Sequence, residues 1–277
     1  MEFSEKVALI TGSSTGIGRV IAAELARLGA SVSLHGRQQS DLDASAALCK
    51  QQGLTEDKIL TTVADVTAAG GIERLFDATM EKFGRLDILV CNHGGFSKQG
   101  AHVMASKEAI AYNMDVNFTS VVELCQLAIP ELVKTKGVIV MNSSVGSGSF
   151  VIPQATNYCA AKAALDQFMR CLAVELGPKG VRVNCVNPNA IDSGLGGKFG
   201  ISKEAQEKAR RLEFFKERQP LKLVGTCRHI ADAVVFLCSE KSQFITGQTL
   251  VADGGFTLLR PSPPPVEESP NAEEGKK

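Results

Sequence analysis

The sequence has no excess charge of either sign: Lys+Arg and Asp+Glu both number 30. It therefore lacks the basic surplus of a nucleic-acid binder or a membrane-surface protein. No apolar run approaches the ~18 residues of a membrane span. Met1 to Lys6 lead directly into an apolar strand, without the cationic segment and apolar stretch of a signal peptide. The cytoplasm is the expected compartment. No two of the eight cysteines form a C-x-x-C pair, and most lie inside apolar runs. They read as small reduced core residues rather than disulfide partners. The four histidines, at 35, 93, 102 and 229, are scattered, so no metal site is expected. There is no internal repeat and no internal domain boundary. At 277 residues the chain can bury one large core.

What the sequence does contain is Tyr158-Cys159-Ala160-Ala161-Lys162. Leu165, Phe168, Met169, Leu172 and Leu176 continue it at helical spacing, and Gly177-Pro178 ends the run. Positions four apart share one face of a helix, so the phenol and the ammonium can converge. A nearby cation lowers a phenol's pKa and fits it for proton exchange with a carbonyl or alcohol oxygen. An isolated Y-x-x-x-K could equally be a surface lysine beside a half-buried tyrosine. Its context decides.

That context begins with Lys6 to Ile10, an apolar strand running into Thr11-Gly12-Ser13-Ser14-Thr15-Gly16-Ile17-Gly18 and then an amphipathic helix. Strand, glycine loop and helix in that order cradle a pyrophosphate. Glycine permits close backbone approach, and the helix N-terminus favours the anion. The second strand, 30–35, is followed by Gly36-Arg37 where an NAD site would hold an acid. Arginine there suits the 2′-phosphate of NADP, with NAD possible.

Further strands are expected at 58–63, 86–90, 137–141, 181–186 and 248–251. Helices are expected near 41–52, 69–83, 105–134 (broken around Asn113–Asn117), 194–220 and 228–239. Apolar strands separated by amphipathic helices imply an α/β fold: a doubly wound parallel sheet of about seven strands with helices on both faces. Residues 1–259 read as one domain. The Pro- and Glu-rich stretch 260–277 reads as a disordered tail.

Together these residues resemble the short-chain dehydrogenase/reductase family, in its standard single-domain branch. The resemblance covers roughly residues 5–258. Thr11 to Gly18 match its T-G-x-x-x-G-x-G, and Tyr158 and Lys162 its Y-x-x-x-K. Asn92 and Gly94 fit its N-N-A-G, with Cys91 and His93 replacing two members. Asn187-Pro188 begin its N-P-G, with Asn189 in place of glycine. Ser144 stands fourteen positions before Tyr158, one more than is usual, and Ser143 is the alternative serine.

The resemblance implies an oxidoreductase exchanging a hydride between NADP(H) and a carbonyl/secondary alcohol pair. Tyr158 would be the general acid/base, and Lys162 would lower its pKa and bind the nicotinamide ribose. Ser144 would hold the substrate oxygen, and Asn117 a relay water. It also implies cofactor contacts from Thr11, Gly12, Ser14, Gly16, Ile17, Gly18, Arg37, Asp65, Val66, Asn92, Gly94, Pro188, Ile191 and Ser193, besides Tyr158 and Lys162. Asp65 could instead form a plain Asx turn. The substrate would be a small, lipophilic carbonyl or alcohol lined by Phe150, Val151, Ile152, Cys159 and a mobile segment from Gly194 to about Phe215. The family commonly forms homodimers or homotetramers. The alternative function is a non-catalytic nucleotide-binding sensor or scaffold on the same fold.

Overall fold

The computed structural model describes residues 1–97, 99–192 and 205–259. Ser193, residues 194–204 of the expected mobile segment and the 260–277 tail lie outside them. Seven strands form one parallel sheet: β1 (Val7–Ile10), β2 (Ser31–Gly36), β3 (Ile59–Val63), β4 (Ile88–Cys91), β5 (Val138–Asn142), β6 (Arg182–Pro188) and β9 (Thr249–Ala252). Their spatial order is β3-β2-β1-β4-β5-β6-β9. A two-residue ladder, β7 (Ile191–Asp192) with β8 (Gly225–Thr226), was not foreseen from the sequence.

The strands are apolar throughout because both faces are covered. On β1, Ala8 and Ile10 enter one core layer and Leu9 the other. The first layer is closed by α1 (Gly16–Arg27), α2 (Gln39–Gln51) and α8 (Cys227–Cys238), through residues such as Ile21, Leu42 and Val234. The second is closed by α3 (Gly71–Phe83), α5 (Ser120–Thr135) and α6 (Thr156–Leu176), through Leu75, Leu124 and Leu165. Strand order reverses at β1, which pairs with β2 on one side and β4 on the other. The crevice beyond the carboxyl ends of the strands at this switch point is where a ligand binds in such sheets.

The expected break in the 105–134 helix is real and has a cause. α4 (Lys107–Met114) passes into a π-type turn over Asp115–Thr119 before α5 begins. Asn117 sits in that turn, fully buried, with its side chain committed to neighbouring backbone. Single π turns of this kind are frequent at functional sites. By length and composition the stretch 107–135 could cross a membrane. Here Val121, Leu124, Ala128 and Leu132 pack it into the second core layer instead.

The remaining helix, α7 (Ala205–Arg218), follows the undescribed segment. All eight cysteines are free thiols. Five are buried as expected, but Cys171 is exposed and Cys159 and Cys227 are half-buried.

Candidate active site

Four chain segments meet at the strand ends. The first is the glycine loop after β1. Gly12 takes a left-handed φ of 61° and Gly16 one of 59°, which glycine adopts without a Cβ penalty. Gly18 is required by space: a Cβ there would lie 2.4 Å from both the Gly12 carbonyl oxygen and Asn92 Nδ2. The loop delivers α1, whose first turn carries no acidic residue and whose N-cap, Thr15, makes no side-chain cap bond. The N-terminal field of α1 is therefore uncompensated by nearby carboxylates.

The second segment follows β4. Asn92 Nδ2 donates to the carbonyl oxygens of Thr11 (3.0 Å) and Gly12 (3.1 Å), tying this loop to the glycine loop. His93, expected to be a bland replacement, is a buried bridge. Its Nδ1 lies 2.7 Å from Thr11 Oγ1 and its Nε2 lies 2.9 Å from Ser120 Oγ. Burial pushes its pKa down to about 3, so it is neutral. Gly94 backs onto the catalytic candidates: a Cβ there would sit 2.8 Å from Asn117 Oδ1 and 3.2 Å from Lys162 Nζ. Asn117 Oδ1 accepts from the Gly95 N–H (3.0 Å), and its Nδ2 donates to the Gly95 carbonyl (2.7 Å).

The third segment follows β5 and carries both candidate serines. Ser143 Oγ points away, 3.4 Å from the Lys162 carbonyl oxygen. Ser144 stands near the Tyr158 phenol and works to lower its pKa. Ser144 also caps a short 3-10 turn, Val145–Ser147, by accepting from the Gly146 N–H at 3.1 Å. That turn is pinned from beneath. Ser147 Oγ donates to buried Asp166 (2.6 Å), and Asn187 Nδ2 donates to Asp166 (2.9 Å) and to the Ser144 carbonyl (2.9 Å).

The fourth segment is α6. Lys162 is buried and its Nζ donates to the Asn142 carbonyl at 2.9 Å, while lying 5.8 Å from the Tyr158 ring centroid. Desolvation pushes the ammonium down to about 8. The sequence reading of a phenol lowered by Lys162 is corrected here. Burial pushes Tyr158 up to about 12, and only Ser144 works against it. Phe96 stacks on the phenol at 4.4 Å between centroids, a contact the sequence reading missed. An aromatic immediately after Gly94-Gly95 was its one available signal.

The remaining expected residues spread around the crevice. Arg37 is exposed just past the end of β2. Asp65 makes the Asx turn that was the plain alternative: its Oδ1 accepts from Thr67 N (3.0 Å) and Oγ1 (2.8 Å). Partial burial pushes its carboxyl up, but the Thr67 bonds outweigh it and hold it below its ordinary value. Val66 and Pro188 are buried, and Ile191 is half-buried on β7. Phe150, Phe256 and Phe215 form an edge-to-face set, with Phe256 at 5.1 Å from Phe150 and 5.2 Å from Phe215. A cavity of about 320 Å³ opens between β7, β8, β9 and α8, but none of the four catalytic candidates lines it.

A family model described as enoyl-(acyl carrier protein) reductase matches residues 12–257. A short-chain dehydrogenase/reductase of unknown function from Caenorhabditis elegans, solved with cofactor, superposes with a TM-score of 0.89 at 33% identity, covering 94% of this chain and 98% of that one. This chain belongs to the short-chain dehydrogenase/reductase family. Glucose 1-dehydrogenase of Gluconobacter oxydans is 36% identical over 92% of this chain and 93% of its own. A tropinone reductase homolog of Arabidopsis thaliana is 36% identical over 91% and 92%.

As a short-chain dehydrogenase/reductase, the protein is an NAD(P)-dependent oxidoreductase that takes a nicotinamide dinucleotide. The residues present fit that group. Gly12 and Gly16 turn the loop through left-handed φ at the N-terminus of α1, and the first turn of that helix carries no acidic residue to compete with a pyrophosphate.

Proposed function

We propose that the protein transfers a hydride between NADP(H) and a carbonyl/secondary alcohol pair, with Tyr158 donating or accepting the proton. The observation that carries this is buried Lys162 one helical turn from Tyr158, its Nζ 5.8 Å from the phenol ring centroid, with Ser144 near enough to lower the phenol's pKa. The bound nicotinamide supplies or accepts the hydride. Tyr158 stays protonated at neutral pH, as a donor to a carbonyl oxygen must. Ser144 orients the phenol and shares the substrate oxygen. Lys162, lowered by burial only to about 8, stays mostly charged at pH 7 and stabilises negative charge that develops on the phenol. Asn117 fixes the backbone behind Gly94 and Gly95 against which the ribose would lie.

Arg37 supports NADP over NAD, since no carboxylate stands at the end of β2 to take the ribose hydroxyls. Family members that prefer NADP often carry a second basic residue where Thr15 stands, so the preference is modest. Phe96, Phe150, Phe215 and Phe256 support a lipophilic carbonyl or alcohol as substrate. Free thiols throughout support a reducing, cytoplasmic compartment. The exposed Val174 on α6 supports assembly into a homodimer or homotetramer, which light scattering would test. The function itself is tested by following absorbance of reduced nicotinamide with a panel of ketones and alcohols. Oxidation of NADPH by apolar ketones is the expected result.

A further inference from the structure

We infer that His35 is a cofactor-positioning residue: its imidazole fixes the glycine loop that receives the dinucleotide's pyrophosphate. The side chain leaves β2 fully buried beneath the loop. The Gly12 N–H donates to His35 Nδ1 at 3.0 Å. Because a backbone N–H can only donate, Nδ1 is bare and the ring proton sits on Nε2. Nε2 lies 3.2 Å from the Ala64 carbonyl oxygen and donates to it. The ring therefore strings the glycine loop to the end of β3, across the width of β2.

The backbone of the same residue repeats the grip. The Ser13 N–H donates to the His35 carbonyl (2.9 Å), and the His35 N–H donates to Ser13 Oγ (2.9 Å). Ser13 Oγ in turn donates to the Ile10 carbonyl at 2.8 Å. Gly12 and Ser13 are thus each held by His35. Gly12 is also the residue whose carbonyl oxygen lies where Gly18 must stay bare. A shift at Gly12 would carry directly into the start of α1.

A hydrophobic side chain at position 35 would fill the space but leave a buried N–H without an acceptor. The loop would then relax to find one, at the expense of its preorganised geometry. His35 acts on the dinucleotide site alone, whatever the substrate and whether the cofactor is NADP or NAD. Its effect should accordingly be the same for both cofactors.

Two isosteric substitutions separate the two ring nitrogens. His35→Asn keeps an acceptor where Nδ1 stands and gives up the Ala64 bond. His35→Gln reaches the Ala64 carbonyl with its amide and leaves the Gly12 N–H unpaired. The readout is the Kd for NADPH and for NADH, from nicotinamide fluorescence, with melting temperatures measured alongside. His35→Gln should weaken both cofactors about fivefold or more, and His35→Asn less than about twofold. Unchanged affinity in His35→Gln, even with a lowered melting temperature, would assign His35 a purely structural role and overturn the inference. So would an asparagine variant as weak as the glutamine one. If His35→Gln does not fold, amide exchange at Gly12 in His35→Asn decides: protection as in wild type supports the inference, and fast exchange overturns it.

Discussion

The side chain of Ser14 fills the space beside Gly36: a Cβ at Gly36 would lie 2.5 Å from Ser14 Cβ and 2.7 Å from its Oγ. That space is taken by the glycine loop itself. Gly36→Asp alone should therefore displace Ser14 and weaken binding of both cofactors. Combined with Ser14→Gly and Arg37→Ala, it should turn preference towards NADH. Arg37→Ala alone should reduce kcat/KM for NADPH by about ten- to a hundredfold and leave NADH nearly unchanged. Parallel kcat/KM measurements on these variants check it. An equal loss for both cofactors in Arg37→Ala would make the arginine a loop residue without a phosphate.

Asn117→Ala should destabilise the protein by about 3 kcal/mol. It removes a buried side chain that both accepts from and donates to Gly95, leaving two backbone groups unpaired. For a chain of this size that lowers Tm by roughly 6–12 °C. A thermal melt within a degree or two of wild type would mean that the π turn holds without it.

Asn187→Ala should lower kcat about tenfold while changing the Kd for NADPH little. The lost amide links Asp166 to the Ser144 carbonyl, and so holds Ser144 against Tyr158 without contributing to the glycine loop. Stopped-flow and equilibrium titration on one preparation would separate the two effects. A loss confined to NADPH affinity would contradict the arrangement.

Acid should destabilise the fold through His35. Its folded-state pKa of about 4 lies below the ordinary 6.5, so the unfolded chain binds the proton first. This stability is present above pH 6.5 and is lost as pH falls from 6.5 towards 4, by up to about 3 kcal/mol. Carboxylates titrate over part of the same range, so the comparison is with His35→Asn. Urea unfolding at pH 7 and pH 4.5 should show a larger drop in wild type than in that variant. Identical drops would show that His35 is as easily protonated folded as unfolded.

The parallel sheet was legible because buried strands and amphipathic helices leave different periodic patterns, and Lys6 to Ile10 followed by Thr11 to Gly18 is a local signature. The break at Asn117 was legible as a doubtful stretch, although its π geometry was not. What could not be read were partnerships between distant segments. His35 and Gly12 are 23 positions apart, and Asn187 and Ser144 are 43 apart. Nothing in either segment announces the other. The direction of the Tyr158 shift was misjudged for a similar reason. Sequence places a cation one turn away, but the desolvation of both groups, which dominates here, is set by distant segments such as Phe96, stacked on Tyr158.

The central claim is that Tyr158 handles the proton while the rest of the site holds the cofactor. It is tested most directly by Tyr158→Phe, comparing turnover of an accepted ketone with the Kd for NADPH. The phenyl ring preserves the stacking on Phe96 and removes only the phenol hydroxyl. Turnover should fall by at least about a hundredfold, the usual worth of a positioned general acid, with NADPH affinity within about threefold of wild type. Turnover near the wild-type rate in that variant would contradict the account.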